Sequence, residues 1–217
     1  MAIKIFFHIC AITCAEKIVH EMVQTIIFSG LYNEVEKIYC YLSGEQDMIH
    51  RIVVYLMEQG TKFVVMKIAP NDTSYERITL EDIHNHVGPE DKILYIHSKG
   101  VTKHRALPPQ SLRVQDWRNM MLYFLVRHFR TCLEKLENHD TIGVNYHSYS
   151  PHWSGNFWWV RGNYFLTLPT KIGPAYSDSE LQFLFLNKPI FYEMYNSGNK
   201  NLYDERHNPN TYVDHPV

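Results

Sequence analysis

Glycine and proline are scarce, ten of each in 217 residues, and cysteine occurs only four times. So little glycine and proline excludes collagen-like repeats and a low-complexity chain. Charged residues make up 20% against 45% hydrophobic, which excludes disorder and a coiled coil. Neither sign of charge dominates: 21 basic residues stand against 23 acidic ones. A net charge of −2 gives no general attraction for nucleic acid or an anionic membrane. After the first fifteen residues no apolar run reaches membrane-spanning length. Cys10, Cys14, Cys40 and Cys132 form no CxxC pair and no zinc spacing, and read as small buried hydrophobes. A reducing compartment, the cytoplasm, is the expected location. Also missing are GxGxxG and GxxxxGK[ST], so a dinucleotide dehydrogenase, a P-loop enzyme and a glycine-loop methyl- or nucleotidyltransferase all lose their main support.

What is present is aromatic: 15 Tyr, 11 Phe and 4 Trp, with 13 His. Such a chain suits polar, ring-shaped ligands. Its length gives a default of one large domain, able to bury about 70% of its surface without staples. Met1–Ala15 has the superficial look of a signal peptide, but His8 breaks the run, and β-branched and aromatic content favours a buried first strand, Ile3–Ile12. Helical spacing of Ile18, Val19, Met22, Val23, Ile26 and Ile27 follows, with Gly30 as the stop. Further strands are predicted at Val35–Leu42, Lys62–Ala69, Lys92–His97, Thr141–Asn145, Asn156–Val160 and Pro189–Glu193. Helices are predicted up to Gly60, from Thr79 with Asp82 in a capping box, over Ser111–Glu137, and over Asp178–Leu186. Alternating strands and helices imply an α/β domain, residues 1–195, with a mostly parallel sheet of about six strands flanked by helices. Residues 196–217 turn polar and Asn-rich and read as a tail, a lid or a linker to a further domain.

Ligands of such sheets sit at the carboxyl ends of the strands. The residues just past those ends are Thr13 and Cys14, Ser43, Pro70–Asp72, His97–Lys99 and Asn145–His147. Ile96-His97-Ser98-Lys99-Gly100 presents an imidazole, a hydroxyl and an ammonium together. His97 and Lys99 are expected on one side of an extended chain, where they can neutralise a diphosphate or, for His97, ligate a metal. Asn71, Asp72 and Tyr75 follow the third strand, at the ligand-binding edge or in an ordinary Asx turn after Pro70. Arg118 can reach phosphate or sit in a salt bridge. In His152–Trp159, Ser154, Gly155 and Asn156 offer hydrogen bonds, while alternation puts one of Trp158 and Trp159 in the core and the other toward a sugar. Glu180 and Ser177 fit a helix capping box as well as they fit catalysis, with Asp178 as the substitute base. His84 and His86 are two apart on a helix and share no face. His207 and His215 complete a metal site only if the tail folds over it.

Ile93-Leu94-Tyr95-Ile96-His97-Ser98-Lys99 resembles the "VLYLDxD" strand of GT-A-fold glycosyltransferases, with His97 and Lys99 at the two Asp positions. His152-Trp153-Ser154-Gly155-Asn156-Phe157-Trp158-Trp159 resembles their sugar-pocket strand, and Gly162–Pro169 the turn before their last helix. Within that family the chain is most similar to glycosyltransferase domains of large DNA viruses such as the chlorella viruses, which build capsid glycans. The resemblance covers most of Ile3–Leu186 and implies a single GT-A-like, Rossmann-type domain. It implies a UDP-sugar donor held by Thr13, Asn71, Asp72, Tyr75, His97, Ser98, Lys99 and Arg118, and a Mn²⁺ ion with His97 as the candidate ligand. A glycan or glycoprotein acceptor and the transferred sugar would meet Asn145, His147, Ser154, Gly155, Asn156, Trp158 and Trp159. Glu180, Asp178 and Lys99 would be catalytic. The competing function is a carbohydrate-binding domain without catalysis, which has no reason to bind nucleotide.

Overall fold

In the computed structural model, which describes residues 1–70, 75–103, 108–181, 183–198 and 201–216, the first apolar segment is the strand β1 (Ile3–Ala11). Ile5 through Ile9 are all buried there, because β1 has a sheet neighbour on each side and cover on each face. The next strands are β2 (Lys37–Gly44), β3 (Phe63–Ala69) and β4 (Lys92–His97), followed by β5 (Thr141–Val144). A two-stranded hairpin, β6 (Tyr146–His147) and β7 (His152–Trp153), leads to β8 (Trp158–Arg161) and β9 (Phe191–Tyr195). The sheet order is β3-β2-β1-β4-β8-β5-β9, and every pairing is parallel except those of β8 with β4 and β5. The chain is thus an α/β, Rossmann-type, GT-A-like domain. Its accessible surface of 10147 Å² matches the roughly 10,000 Å² expected for its mass.

Two apolar layers cover the sheet. One side chain in two points each way, so Ile5, Phe7, Leu94, Ile96 and Trp159 join α1 (Ala15–Phe28) and α2 (Gln46–Gln59) in one cluster. Phe6, Tyr95 and Trp158 join Tyr41, Trp153 and Phe165 in the other. Helix α1 buries Ile18, Val19, Met22, Val23 and Ile26, and Gly30 ends the segment at φ +83°. Among the described residues no helix is long and apolar enough to cross a membrane.

Several predicted elements differ from the structure. The helix expected over Ser111–Glu137 is three pieces: α3 (Pro108–Leu122), a π-helical turn over Tyr123–Arg127, and α4 (Phe129–Lys135). The helix expected over Asp178–Leu186 is two 3₁₀ turns, Tyr176–Ser179 and Phe183–Phe185. Phe183, Leu184 and Phe185 are all buried in the second of these turns. Asp82 caps nothing; its carboxylate accepts from Tyr41 Oη (2.8 Å), Lys67 Nζ (2.6 Å) and Asn85 Nδ2 (2.9 Å). The polar C-terminal segment folds back, burying Leu202 and Tyr212 in the core cluster that contains α3 side chains.

Trp158 and Trp159 are 1% and 0% exposed, which overturns the expectation that one of them meets a sugar. The alternation is real, but both faces of the sheet are covered. Trp158 Nε1 donates to Asn156 Oδ1 at 2.8 Å while its ring stacks on Tyr95, and Trp159 Nε1 donates to the Leu125 carbonyl. Trp158→Ala should therefore lower the unfolding free energy by about 3–5 kcal/mol, read from urea denaturation. A loss under about 1 kcal/mol would contradict the packing described.

Candidate functional site

The sheet reverses direction of growth between β1 and β4, and the crevice at their carboxyl ends is where ligands of such sheets bind. His8 and His97 are register partners at that edge. A cleft of about 130 Å³ opens there, walled by His8, Tyr75, Glu76, His97, Lys99 and Tyr203. A second cleft of about 420 Å³ lies beyond Tyr203, which belongs to both walls. Trp117, Asn145, His147, Ser154 and Glu180 line it.

Lys99 is 8% exposed. The chain turns immediately after β4, with Lys99 N–H donating to the His97 carbonyl, so the ammonium swings toward α3. It rests 4.0 Å from the centroid of the Trp117 ring and 5.9 Å from that of Tyr203. Among the described residues no carboxylate forms an ion pair with it. Burial lowers its pKa, while Glu180 and Glu76, acting at longer range, pull the other way. An ammonium held against aromatic faces in a cleft is a ready site for an anion.

His97 Nε2 donates to the Gly155 carbonyl at 2.9 Å, and its Nδ1 lies 3.8 Å from Glu76 Oε1. Burial, and then the neighbouring Lys99 charge, bring its pKa down to about 4, so the ring is neutral at pH 7 and Nδ1 carries a lone pair. Glu76 is fixed from behind: Oε2 accepts from Tyr95 Oη at 2.6 Å and from Asn156 Nδ2 at 2.7 Å. Gly155 N–H donates to Glu180 Oε1 at 3.2 Å, which joins the two clefts through one residue.

Of the residues predicted from sequence, the structure brings Tyr75, His97, Ser98 and Lys99 into the first cleft. Asn145, His147, Ser154 and Glu180 come into the second, with Gly155 between the two. Others are placed differently. Ser98 Oγ is occupied in accepting from Cys10 N–H, a staple between the ends of β1 and β4. Arg118 is committed to Glu21 Oε2 (2.7 Å) and the Lys99 carbonyl (2.9 Å), so it supports Lys99 and does not face a phosphate. Asn156 spends its amide on Glu76, Ser179 and Trp158 and is a brace, not a sugar contact. Asp178 accepts from Ala175 N–H in its own turn and forms no part of either wall. Thr13 sits in the turn after β1, outside both walls. His207 turns into an aromatic nest, 3.1 Å from Tyr195 Oη and stacked on Tyr212, and does not join His97. Asn71 and Asp72 lie outside the described residues.

The manganese ion implied by the resemblance does not suit this donor set. Among the described residues no three His, Cys, Asp or Glu side chains converge. In the first cleft only His97 Nδ1 and Glu76 Oε1, 3.8 Å apart, offer open ligand atoms among the described residues, and an ammonium stands where the second carboxylate of the "DxD" pattern would be. Sequence reasoning missed Glu76, Trp117 and Tyr203. Glu76 directly follows Tyr75, and Trp117 directly precedes Arg118, but Tyr203 gave no signal within its polar tail.

The family described as "Domain of unknown function (DUF8361)" matches residues 10–187. No match was found among curated proteins. Among solved structures, the crystal structure of HddC from Yersinia pseudotuberculosis is similar, with a TM-score of 0.52 at 10% identity, over 90% of this chain and 91% of that one. A likeness at that identity speaks for the fold alone.

Burial also brings the His8 pKa down to about 4. Both imidazoles are neutral in the fold, whereas the unfolded chain takes up protons below about pH 6.5. Their contribution is therefore intact above that pH and lost as pH falls from 6.5 toward 4, at up to about 1.4 kcal/mol per pH unit for each ring. Urea midpoints should drop between pH 7 and pH 5, and His8→Asn should flatten the drop. Equal unfolding free energies at the two pH values would contradict neutral burial.

Proposed function

This chain belongs to the DUF8361 family, and we propose that it is a glycosyltransferase, moving a sugar from a UDP-sugar to a hydroxyl of a glycan acceptor. The observation that carries the reading is Lys99, a buried ammonium without a carboxylate partner among the described residues, at the crevice where an α/β sheet binds nucleotides. Transfer from a nucleotide sugar breaks the bond between the anomeric carbon and a diphosphate oxygen. Negative charge grows on that oxygen, and a fixed cation in a water-poor cleft stabilises it. Lys99 supplies that cation, backed by Arg118 holding its carbonyl.

The acceptor belongs in the second cleft. Its hydroxyl oxygen forms the new bond to the anomeric carbon, and Glu180, the carboxylate lining that cleft, takes the hydroxyl proton. UDP leaves with the bonding electron pair. Tyr203 offers a ring, and His147 and Ser154 offer polar atoms, a mixture that suits a sugar. The similarity of Ile93–Lys99 to the nucleotide-sugar strand of GT-A enzymes points the same way. No step here is assigned to a metal, because the described residues do not gather ligands for one.

Calorimetry with UDP, followed by UDP release from UDP-glucose, UDP-galactose and UDP-rhamnose with and without Mn²⁺, tests the proposal. UDP should bind, and at least one donor should turn over without added metal. Lys99→Ala should slow that turnover by about 10²–10³ while leaving the circular dichroism spectrum unchanged. Absence of UDP binding would overturn the reading, and UDP binding without turnover of any donor would make the chain a binding domain.

A further inference from the structure

Glu76 and His97 confront each other in an arrangement that neither the fold nor the ammonium of Lys99 explains. Glu76 has one oxygen spent on Tyr95 Oη and Asn156 Nδ2, and its other oxygen, Oε1, faces His97 Nδ1 across 3.8 Å. His97 has its N–H spent on the Gly155 carbonyl, so Nδ1 of the neutral ring is an acceptor. Two acceptors at that distance make no hydrogen bond with each other. Both belong to the wall of the first cleft, and both are held by partners of their own. A pair of fixed acceptors in one cleft calls for donors, which water supplies when the cleft is empty and a hydroxyl-bearing ligand when it is filled.

We propose that Glu76 and His97 form a clamp for a vicinal diol of the bound ligand. One hydroxyl donates to Glu76 Oε1 and its neighbour to His97 Nδ1. Adjacent hydroxyl oxygens of a sugar ring are closer together than the two acceptors, so each reaches its own acceptor at hydrogen-bonding distance. A phosphate cannot take this place, because a carboxylate and a lone pair both repel it, whereas Lys99 in the same cleft attracts it. The two sites therefore divide the ligand, anion to Lys99 and diol to Glu76–His97. The carboxylate is preorganised: Tyr95 is fully buried and Asn156 is 4% exposed, so no side chain has to be ordered when the diol arrives. The clamp rests on the nucleotide-sugar reading and adds to it the group that is recognised.

A diol of this kind comes from the ribose of the nucleotide or from the transferred sugar, and affinities separate the two. Binding of UDP is compared with binding of its 2′-deoxy and 3′-deoxy analogues, and binding of UDP-glucose with UDP-2-deoxyglucose and UDP-3-deoxyglucose. Loss of the hydroxyl held by Glu76 should weaken binding by about 10–100-fold, the usual weight of a hydrogen bond to a charged group, and loss of its neighbour on neutral His97 by about 2–10-fold. The penalty should fall on one of the two sources and not on the other. In Glu76→Gln, whose amide oxygen still accepts from Tyr95 and Asn156, the larger penalty, that of the Glu76-bound hydroxyl, should shrink to under about threefold. A purely structural role would weaken all ligands alike and leave the ratio unchanged, which would overturn the proposal. Deoxy analogues that all bind wild type within about threefold of their parents would overturn the clamp while leaving the transferase reading in place. If UDP itself fails to bind, both fall together. The wild-type comparison decides the matter even if the variant does not fold.

Discussion

Gly155 is the residue through which the two clefts are held in one arrangement. Its carbonyl accepts from His97 and its amide donates to Glu180, so two consecutive backbone groups set one side chain in each cleft. Its φ of +92° lies in the left-handed region that favours glycine. A Cβ there would stand 2.6 Å from Met121 Sδ and 3.0 Å from Trp117 Nε1, against helix α3. Close approach to α3 and a positive φ are thus two independent demands on the same position. Trp117 is the ring on which Lys99 rests, so the packing of Gly155 against α3 also fixes the floor beneath the ammonium.

The charges around that point form a consistent set. Lys99 lies with Glu76 in one cleft and near Glu180 of the other, neither close enough for an ion pair, and both favour its charged form against the cost of burial. That same ammonium works with burial to keep His97 neutral. A neutral His97 next to a charged Lys99 leaves the imidazole as a hydrogen-bonding group and the ammonium as the local cation. Arg118, equally buried, does not compete for a ligand because Glu21 on α1 already neutralises it. Natural sites often keep one buried charge open and pair the rest, since an unpaired buried charge costs stability and persists where a ligand uses it.

Much of this was legible in the chain. Lys92–His97 is the strand the sequence predicts, because a run of apolar residues ending in polar ones marks a buried strand and its exit. The polar residues after that exit do face a cleft, as the rule for α/β sheets requires. Trp158 and Trp159 misled for a physical reason: alternation tells which residues share a face, not whether that face is covered. Asp178 misled because local spacing cannot distinguish a carboxylate that caps its own turn from one that reaches across the fold. Glu76 was illegible because its orientation is decided by Tyr95 and Asn156, residues 19 and 80 positions away.

The C-terminal segment shows the same limit from another side. Its polar, Asn-rich composition suggests a segment with nothing to bury, yet a few anchors suffice to tie it down. Arg206 pairs with Asp116 on α3, its Nη2 standing 3.1 Å from Oδ1, while Tyr123 Oη donates to the Val213 carbonyl. Leu202 and Tyr212 fill the space beneath. Held this way, Tyr203 becomes the wall shared by both clefts, with its ring edge-on to Trp117 at 5.0 Å. Any ligand that extends from Lys99 toward Glu180 must pass beside that ring. The segment that looks most like a tail in the sequence therefore completes the site, and its anchors on α3 act on the same helix that carries Trp117 and Arg118.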